Sequence, residues 1–254
     1  MEDHRSTTRV LDILETVSEK KDLKLTLTNI ARELHAPKSS IFPMLQTLVD
    51  RAYLNYDSQT LTYSIGPRAY AVGMKYTEDG GFYQDIDKIL SNITEKCQET
   101  SHFAELLGNE VFYLNKKDSP QSIRMYSFPG RTLPAYATGL GKALLSGKSE
   151  EEIREMYPDG LKVITENTVT SFDLLFKQLE EVRKSSFAFE IEESNESIRC
   201  IAVPIEFNGA VRYAISVAVP VYRYTKEKEK QIEELLLEAK HQIEIEMFST
   251  KKHR

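Results

Sequence analysis

The stretch LTLTNIARELHAPKSSIFPMLQTLVDRAYL, Leu25–Leu54, reads as two short helices joined by a tight turn. Thr28 is placed to cap the first helix, where Ile30, Ala31 and Leu34 recur at helical spacing as one apolar stripe. His35-Ala36-Pro37 interrupts the pattern, because proline disfavours helical geometry in the residue before it. Ser39 or Ser40 then caps a second helix, with Ile41, Leu45, Leu48 and Val49 at i, i+4, i+7 and i+8. Lys38, Ser39, Ser40, Phe42, Gln46 and Thr47 fall largely off that stripe. Small hydroxyl, cationic and amide groups at the start of a second helix suit phosphates and base edges in a major groove. A helical hairpin with no DNA role would carry the same stripes, so its flanks decide.

Downstream, Ala52–Tyr56 and Leu61–Gly66 alternate around the polar run Asp57-Ser58-Gln59-Thr60, which is a hairpin signal. Upstream, Thr8–Glu19 places Val10, Leu11, Leu14 and Val17 on one face as a first helix, followed by a charged loop of Lys20, Lys21, Asp22 and Lys24. Arg5 and Arg9 are cations within reach of phosphate. Helix, helix-turn-helix and hairpin in that order make a winged helix. Pro43 is the discordant residue. It is in the fourth position of a helix begun at Ser39, or interior to one begun near Pro37 at a penalty of ~3 kcal/mol. A distorted or late-starting second helix is expected.

On these residues the chain resembles the IclR family of bacterial transcriptional regulators, whose DNA-binding end carries a pattern similar to IARELHAPKSSIFPMLQTLVDRAYL followed by YSIG. Where Pro43 stands, that pattern usually has arginine or another polar residue. The DNA-facing set is then Thr28, Lys38, Ser39, Ser40, Phe42, Gln46 and Arg51, with double-stranded operator DNA as the partner.

Beyond the wing, Ala69–Tyr76 reads as a linking helix and Thr77-Glu78-Asp79-Gly80-Gly81 as a boundary. The expected domains are 1–66, a winged helix-turn-helix; 67–81, a linking helix and hinge; and 82–250, an effector domain. Phe82, Ile86, Ile89, Ile93 and Cys97 share a helical stripe, which makes Cys97 a core thiol. From Ser101 the period becomes strand-like: 102–107, a Gly108-Asn109 turn, 111–114, and a third candidate strand at Ser122–Phe128. Thr138 caps a helix in PAYATGLGKALL, Pro134–Leu145, where glycines leave amides open to an anion. Ser149 and Ser171 cap two more helices, the second burying Leu174, Leu175, Leu179 and Val182. Phe187, Phe189 and Ile191 alternate with Ala188, Glu190 and Glu192 as a strand. Strands 198–207 and 211–219 flank the Asn208-Gly209 turn. A long charged helix, Thr225–Met247, buries Ile232, Leu235, Leu236, Ala239, Ile243 and Met247.

Helices plus an antiparallel sheet make this second part α+β, similar to the GAF-like effector domain of the same family. The matching block is FAFEIEESNESIRCIAVPIEFNGAVRYAISVAVP, Phe187–Pro220. The resemblance places an effector pocket at Thr138, Gly139, Leu140, Glu190, Cys200 and Ser216. A second serine of the pattern is replaced by Ala218, and glycines near Ser186 and Ser197 are missing. One wall should therefore be less polar. Backbone amides at Gly139 and Leu140 suit a carboxylate, Ser216 donates a hydroxyl bond, and Glu190 accepts from a ligand hydroxyl. The expected ligand is an organic or sugar acid, larger or more apolar than a two- or three-carbon acid.

Among the 254 residues, 41% are hydrophobic and 28% charged, ordinary for a globular protein. No apolar run approaches the ~20 residues of a membrane span, the N-terminus begins no signal peptide, and the cytoplasm is expected. Cys97 and Cys200 are far apart and form no metal-ligand spacing; no cofactor is implied. The net charge is −6, but residues 1–75 hold 10 Lys+Arg against 9 Asp+Glu. Only this part escapes the acidic bias. One copy should bind DNA weakly, because phosphate neutralisation supplies much of the affinity, and several copies together would be needed. A homodimer or dimer of dimers on a near-palindromic operator follows. The competing reading is an enzyme with Cys200 as nucleophile, His102 as base and Glu190 orienting it, which needs a hydrogen-bonded base and a depressed thiol pKa.

Overall fold

The computed structural model describes residues 4–19, 25–77 and 81–247. The expected charged loop at 20–24, residues 78–80 of the expected hinge and the Met247 side chain lie outside them. The chain divides into two compact units, Met1–Gly80 and Gly81–Arg254.

In the first unit, α1 (Arg5–Glu19), α2 (Leu27–Glu33) and α3 (Lys38–Asp50) are followed by β1 (Leu54–Asp57), β2 (Thr62–Ile65) and α4 (Pro67–Thr77). β1 and β2 form an antiparallel hairpin, with Leu54 opposite Ile65. Ile13, Val17, Ile30, Ala31, Ile41, Leu45, Leu48, Leu54 and Tyr63 make one core, on which Val10 and Leu14 pack. The stripe of α1 is thus Val10, Ile13, Leu14 and Val17; Leu11, expected inside, is 53% exposed. Thr28 is not the cap of α2. Thr26 is, its hydroxyl accepting from the Asn29 amide at 3.3 Å, which starts the helix one residue before Thr28. Neither Ser39 nor Ser40 caps α3. Its cap is Pro37, and the Ser40 hydroxyl turns back to donate to the Pro37 carbonyl at 2.8 Å.

Pro43 neither delays nor interrupts α3, contrary to expectation: the helix is continuous from Lys38 to Asp50 with Pro43 inside. Proline lacks the N–H that would bond the Ser39 carbonyl. Ile41, Leu45 and Leu48 on the buried face hold the helix across that missing bond.

The second unit has the α+β architecture, with a six-stranded antiparallel sheet in the order β5-β4-β3-β8-β7-β6. Its elements are α5 (Phe82–Cys97), β3 (Thr100–Leu107), β4 (Glu110–Lys117), β5 (Thr132–Pro134), α6 (Gly139–Leu145), α7 (Glu150–Met156), α8 (Phe172–Ser185), β6 (Ala188–Ile191), β7 (Ile198–Phe207), β8 (Ala210–Pro220) and α9 (Lys226–His241). A π-helical turn, Gln242–Met247, extends α9. Asn208 and Gly209 both take positive φ, which a two-residue hairpin turn requires. Alternation along the strands sends Phe103, Ile201, Val203, Ile215 and Val217 to the side of α5 and α9. Ala104, Tyr113, Ala202 and Ala214 go to the side of α6 and α8. Helices thus cover both faces of the sheet.

Two expectations change here, and the buried face of β6 becomes defined. The segment Ser122–Phe128 is not a strand; β5 lies later, and Met125 from the intervening loop packs on Ile198, Ala218 and Cys200. Leu174 is 48% exposed, leaving Leu175, Phe176, Leu179 and Val182 as the buried stripe of α8. In β6 the alternation holds but the apolar residues are on the outer side. Ala188 and Glu190 are buried, while Phe189 and Ile191 are exposed. The inner side is narrow, because a Cβ built on Gly139 of α6 would lie 3.2 Å from Cβ of Cys200 and 3.7 Å from the Ala188 carbonyl. A phenylalanine there would have no room.

Candidate DNA-reading face and effector site

α3 shows solvent one continuous stripe: Ser39, Phe42, Pro43, Gln46, Thr47 and Asp50. Lys38 at its start and Arg51 at its cap are also exposed, Thr28 is exposed on α2, and Ser40 is half-buried. The expected DNA-facing residues of α3 therefore share one surface, except Ser40, whose hydroxyl is spent on Pro37. Thr47 donates to the Pro43 carbonyl at 2.9 Å, so its methyl is what it offers outward. The wing tip offers no cation. Asp57 instead accepts from the Gln59 and Thr60 amides at 2.8 and 3.3 Å, and the Thr60 hydroxyl with those amides holds its carboxyl below the usual range. A fixed anion sits where phosphate attraction would want a cation.

In the second unit, register assembles the other group of expected residues. Glu190 pairs with Cys200, and Cys200 with Ala218, in one row across β6, β7 and β8. The next row on the same face is Ala188, Ala202, Ser216 and His102. α6 lies on these rows: its cap Thr138 accepts from the Gly141 amide at 3.0 Å. That bond removes Gly141 as an anion donor and leaves the first-turn amides of Gly139 and Leu140. Gly141 is obligatory for space, since a Cβ there would fall 2.0 Å from the Ala135 carbonyl. Leu140 is in the core, so only its backbone is at the site's edge. Thr138, Gly139, Glu190, Cys200 and Ser216 do come together.

Glu190 is 1% exposed. Its Oε1 accepts from the Glu193 and Ser194 amides at 2.6 and 3.1 Å. Among the described residues its Oε2 has no N–H or O–H donor, and only the Cys200 thiol, a weak donor, stands beside it. Burial pushes the Glu190 carboxyl up, against the pull of those amides. Burial also pushes the Cys200 thiol well above its ordinary value, and the Glu190 charge adds to this. Sequence reasoning missed Lys142, which is fully buried and donates to Glu193 Oε1 at 2.5 Å and to the Phe189 carbonyl at 3.2 Å. Burial pulls its ammonium below the usual range while Glu193 opposes the fall. The signal was a lysine one turn after Gly139 with paired glutamates downstream. Only the folded turn Glu192–Ser197 shows that they meet.

Sequence also missed the cover of this face. His102 Nε2 is hydrogen-bonded to Ser127 Oγ at 2.8 Å, Lys116 donates to the Ser127 carbonyl at 2.6 Å, and Met125 is buried above Ala218. Burial, helped by Lys116, lowers the His102 pKa to about 3. The enzyme arrangement fails on geometry. β3 and β7 are separated by β8, and His102 lies in the row of Ala202, two residues along from Cys200, so His102 and Cys200 stand more than two strand spacings, ~9.5 Å, apart. The thiol pKa is raised where a nucleophile needs it depressed.

Residues 6–58 match the family model described as the IclR helix-turn-helix domain, and residues 74–245 match that of the bacterial transcriptional regulator IclR C-terminal domain. The chain is 28% identical over 245 residues to the HTH-type transcriptional regulator KdgR of Escherichia coli, covering 95% of this chain and 92% of that one. An IclR transcriptional regulator from Alicyclobacillus acidocaldarius superposes with a TM-score of 0.86 at 23% identity, over 96% of this chain and 98% of the other. An IclR homolog from Microbacterium hydrocarbonoxydans, solved in complex with 4-hydroxybenzoate, gives 0.84 at 22% identity, over 96% and 99%. These two likenesses speak to the fold.

Proposed function

The chain belongs to the IclR family of bacterial transcriptional regulators, and from that we propose a regulator that reads its operator through α3 and changes operator affinity when a hydroxylated organic or sugar acid binds beside the N-terminus of α6, on the β6-β7-β8 face. The observation that carries the ligand class is Glu190 Oε2, a buried acceptor that among the described residues meets no donor stronger than the Cys200 thiol. An unsatisfied buried acceptor costs about 1–3 kcal/mol, which a ligand hydroxyl donating to it recovers. The carboxylate of the same ligand is suited by the Gly139 and Leu140 amides and the Ser216 hydroxyl. Ala218 and Met125 supply an apolar wall, which favours a ligand of more than three carbons. The 4-hydroxybenzoate bound by the Microbacterium homolog carries both a hydroxyl and a carboxylate, which supports the class.

We place no reaction on this site. The protein acts as a homodimer or dimer of dimers on a two-fold operator, because a DNA unit so poor in cations gains affinity by joining copies. A ligand that prefers one arrangement of the copies shifts operator affinity by its differential binding.

A thermal-shift screen of the full chain against organic, sugar and aromatic acids tests the pocket, since a ligand of the native state raises Tm. A hit lost in both Glu190→Gln and Ser216→Ala supports the assignment. A hit indifferent to both substitutions moves the site elsewhere and ends this reading.

A further inference from the structure

The exposed stripe of α3 carries an unusual pair. Phe42 is 43% exposed and is followed directly by Pro43, also exposed, so two apolar rings face solvent in succession, ~100° apart around the helix. Gln46 follows one turn after Phe42 on the same stripe. Between Lys38 and Arg51 the helix has no lysine or arginine. Guanine offers two acceptors, N7 and O6, to the major groove, and the side chains that match both are cationic forks. Gln46 cannot do so: its amide oxygen would face O6 acceptor to acceptor. The same amide matches adenine, accepting from N6–H and donating to N7. Thymine presents a 5-methyl group, which the rings of Phe42 and Pro43 and the methyl of Thr47 can cover. Asp50 lies at the C-terminal end, and in this motif it is the N-terminal part of the helix that meets base edges.

We infer that α3 reads an A·T-rich half-site, with Phe42 packed on a thymine methyl, Pro43 covering a neighbouring one, and Gln46 bidentate to an adenine within two base steps of Phe42. One helical turn places Phe42 and Gln46 about 5–6 Å apart, against ~3.4 Å for a base step. Lys38 and Arg51, at the two ends of α3, are assigned to phosphate, so that Lys38→Ala should weaken all duplexes alike. Removing Pro43 removes part of the methyl-reading surface, which gives the interior proline a use beyond tolerance. The inference rests on α3 being the helix that enters the groove.

The test is repeated selection of random duplexes at low salt with the full chain, followed by titration of the best duplex. The expected half-sites have adjacent A·T pairs at their most constrained positions. Replacing thymine by deoxyuridine at one of them deletes a single methyl, worth about fourfold in affinity. That loss disappears in Phe42→Ala, whose side chain is exposed and leaves the core intact. Gln46→Ala costs about tenfold and relaxes the choice at one adenine. Half-sites centred on guanine, or equal binding of thymine and deoxyuridine duplexes, overturn the inference while leaving α3 as the reading helix. Duplex binding unchanged in Phe42→Ala and Gln46→Ala overturns both the inference and the assignment of α3. No duplex enriched above background overturns DNA reading by this chain altogether.

Discussion

The face of α3 and the cluster beneath α6 handle polar groups in opposite ways. On α3, polar side chains stand in solvent at regular helical intervals, and what they can contact follows from their chemistry alone. Under α6, Lys142, Glu190 and Glu193 are withdrawn from water and depend on each other, the turn after β6 and a neighbouring thiol. The first arrangement tolerates change of single residues and concentrates its consequences on recognition. The second links stability to recognition, because the groups that hold the turn are those that leave Glu190 Oε2 with only a weak donor.

Exchanging one lysine on each side breaks or sharpens this contrast most. Lys142→Met leaves Glu193 buried without its partner and is expected to cost about 3–5 kcal/mol in urea unfolding. Lys38→Ala should change stability by less than about 0.5 kcal/mol. Equal effects would erase the distinction. Next comes Pro43→Ala, which restores an N–H in α3 and is expected to stabilise the first unit by about 2–3 kcal/mol while weakening operator binding. A gain in stability with unchanged binding would separate the proline from recognition.

The buried side also predicts a pH dependence. The folded protein protonates His102 only near pH 3, whereas the unfolded chain does so near its usual value of about 6.5. The stability this neutral histidine contributes is whole above pH 6.5 and falls through the interval below it, by at most ~1.4 kcal/mol per pH unit. His102→Gln should flatten the pH profile of Tm between pH 4 and 6.5; an unchanged slope assigns the loss to other groups. The smallest effect concerns Ser186 and Ser197, at φ 69° and 63°. Glycine at either should add about 1 kcal/mol, because only glycine takes that conformation without cost. Both additions should leave ligand binding alone if the two turns serve shape and not contact.

These positions also show how far the sequence could be read. Winged helix, sheet and helix order follow from periodicity and turn residues, which are local. The missing glycines at 186 and 197 were visible as departures from a pattern, but only the backbone reveals that serine accepts the same left-handed geometry there. Ile41, Leu45 and Leu48 overrode the effect of Pro43, a tertiary term no propensity contains. Phe189 and Ile191 alternate with Ala188 and Glu190, and alternation gives two faces without saying which is inward. Closeness of α6 decided that. Glu190, Cys200 and Ser216 came from resemblance, while Lys142 and the loop carrying Met125 and Ser127 emerge only from long-range contacts.

The anionic wing tip has a consequence for how the protein travels. A regulator with a strongly basic wing spends most of its time held on arbitrary stretches of chromosome, where bulk DNA acts as a reservoir. With Asp57 an anion at that tip and no cation in the wing turn, less of this chain is expected to be stored that way. A larger free pool is then expected to meet the effector, so that a change in ligand level reaches the operator with less protein to draw off the chromosome.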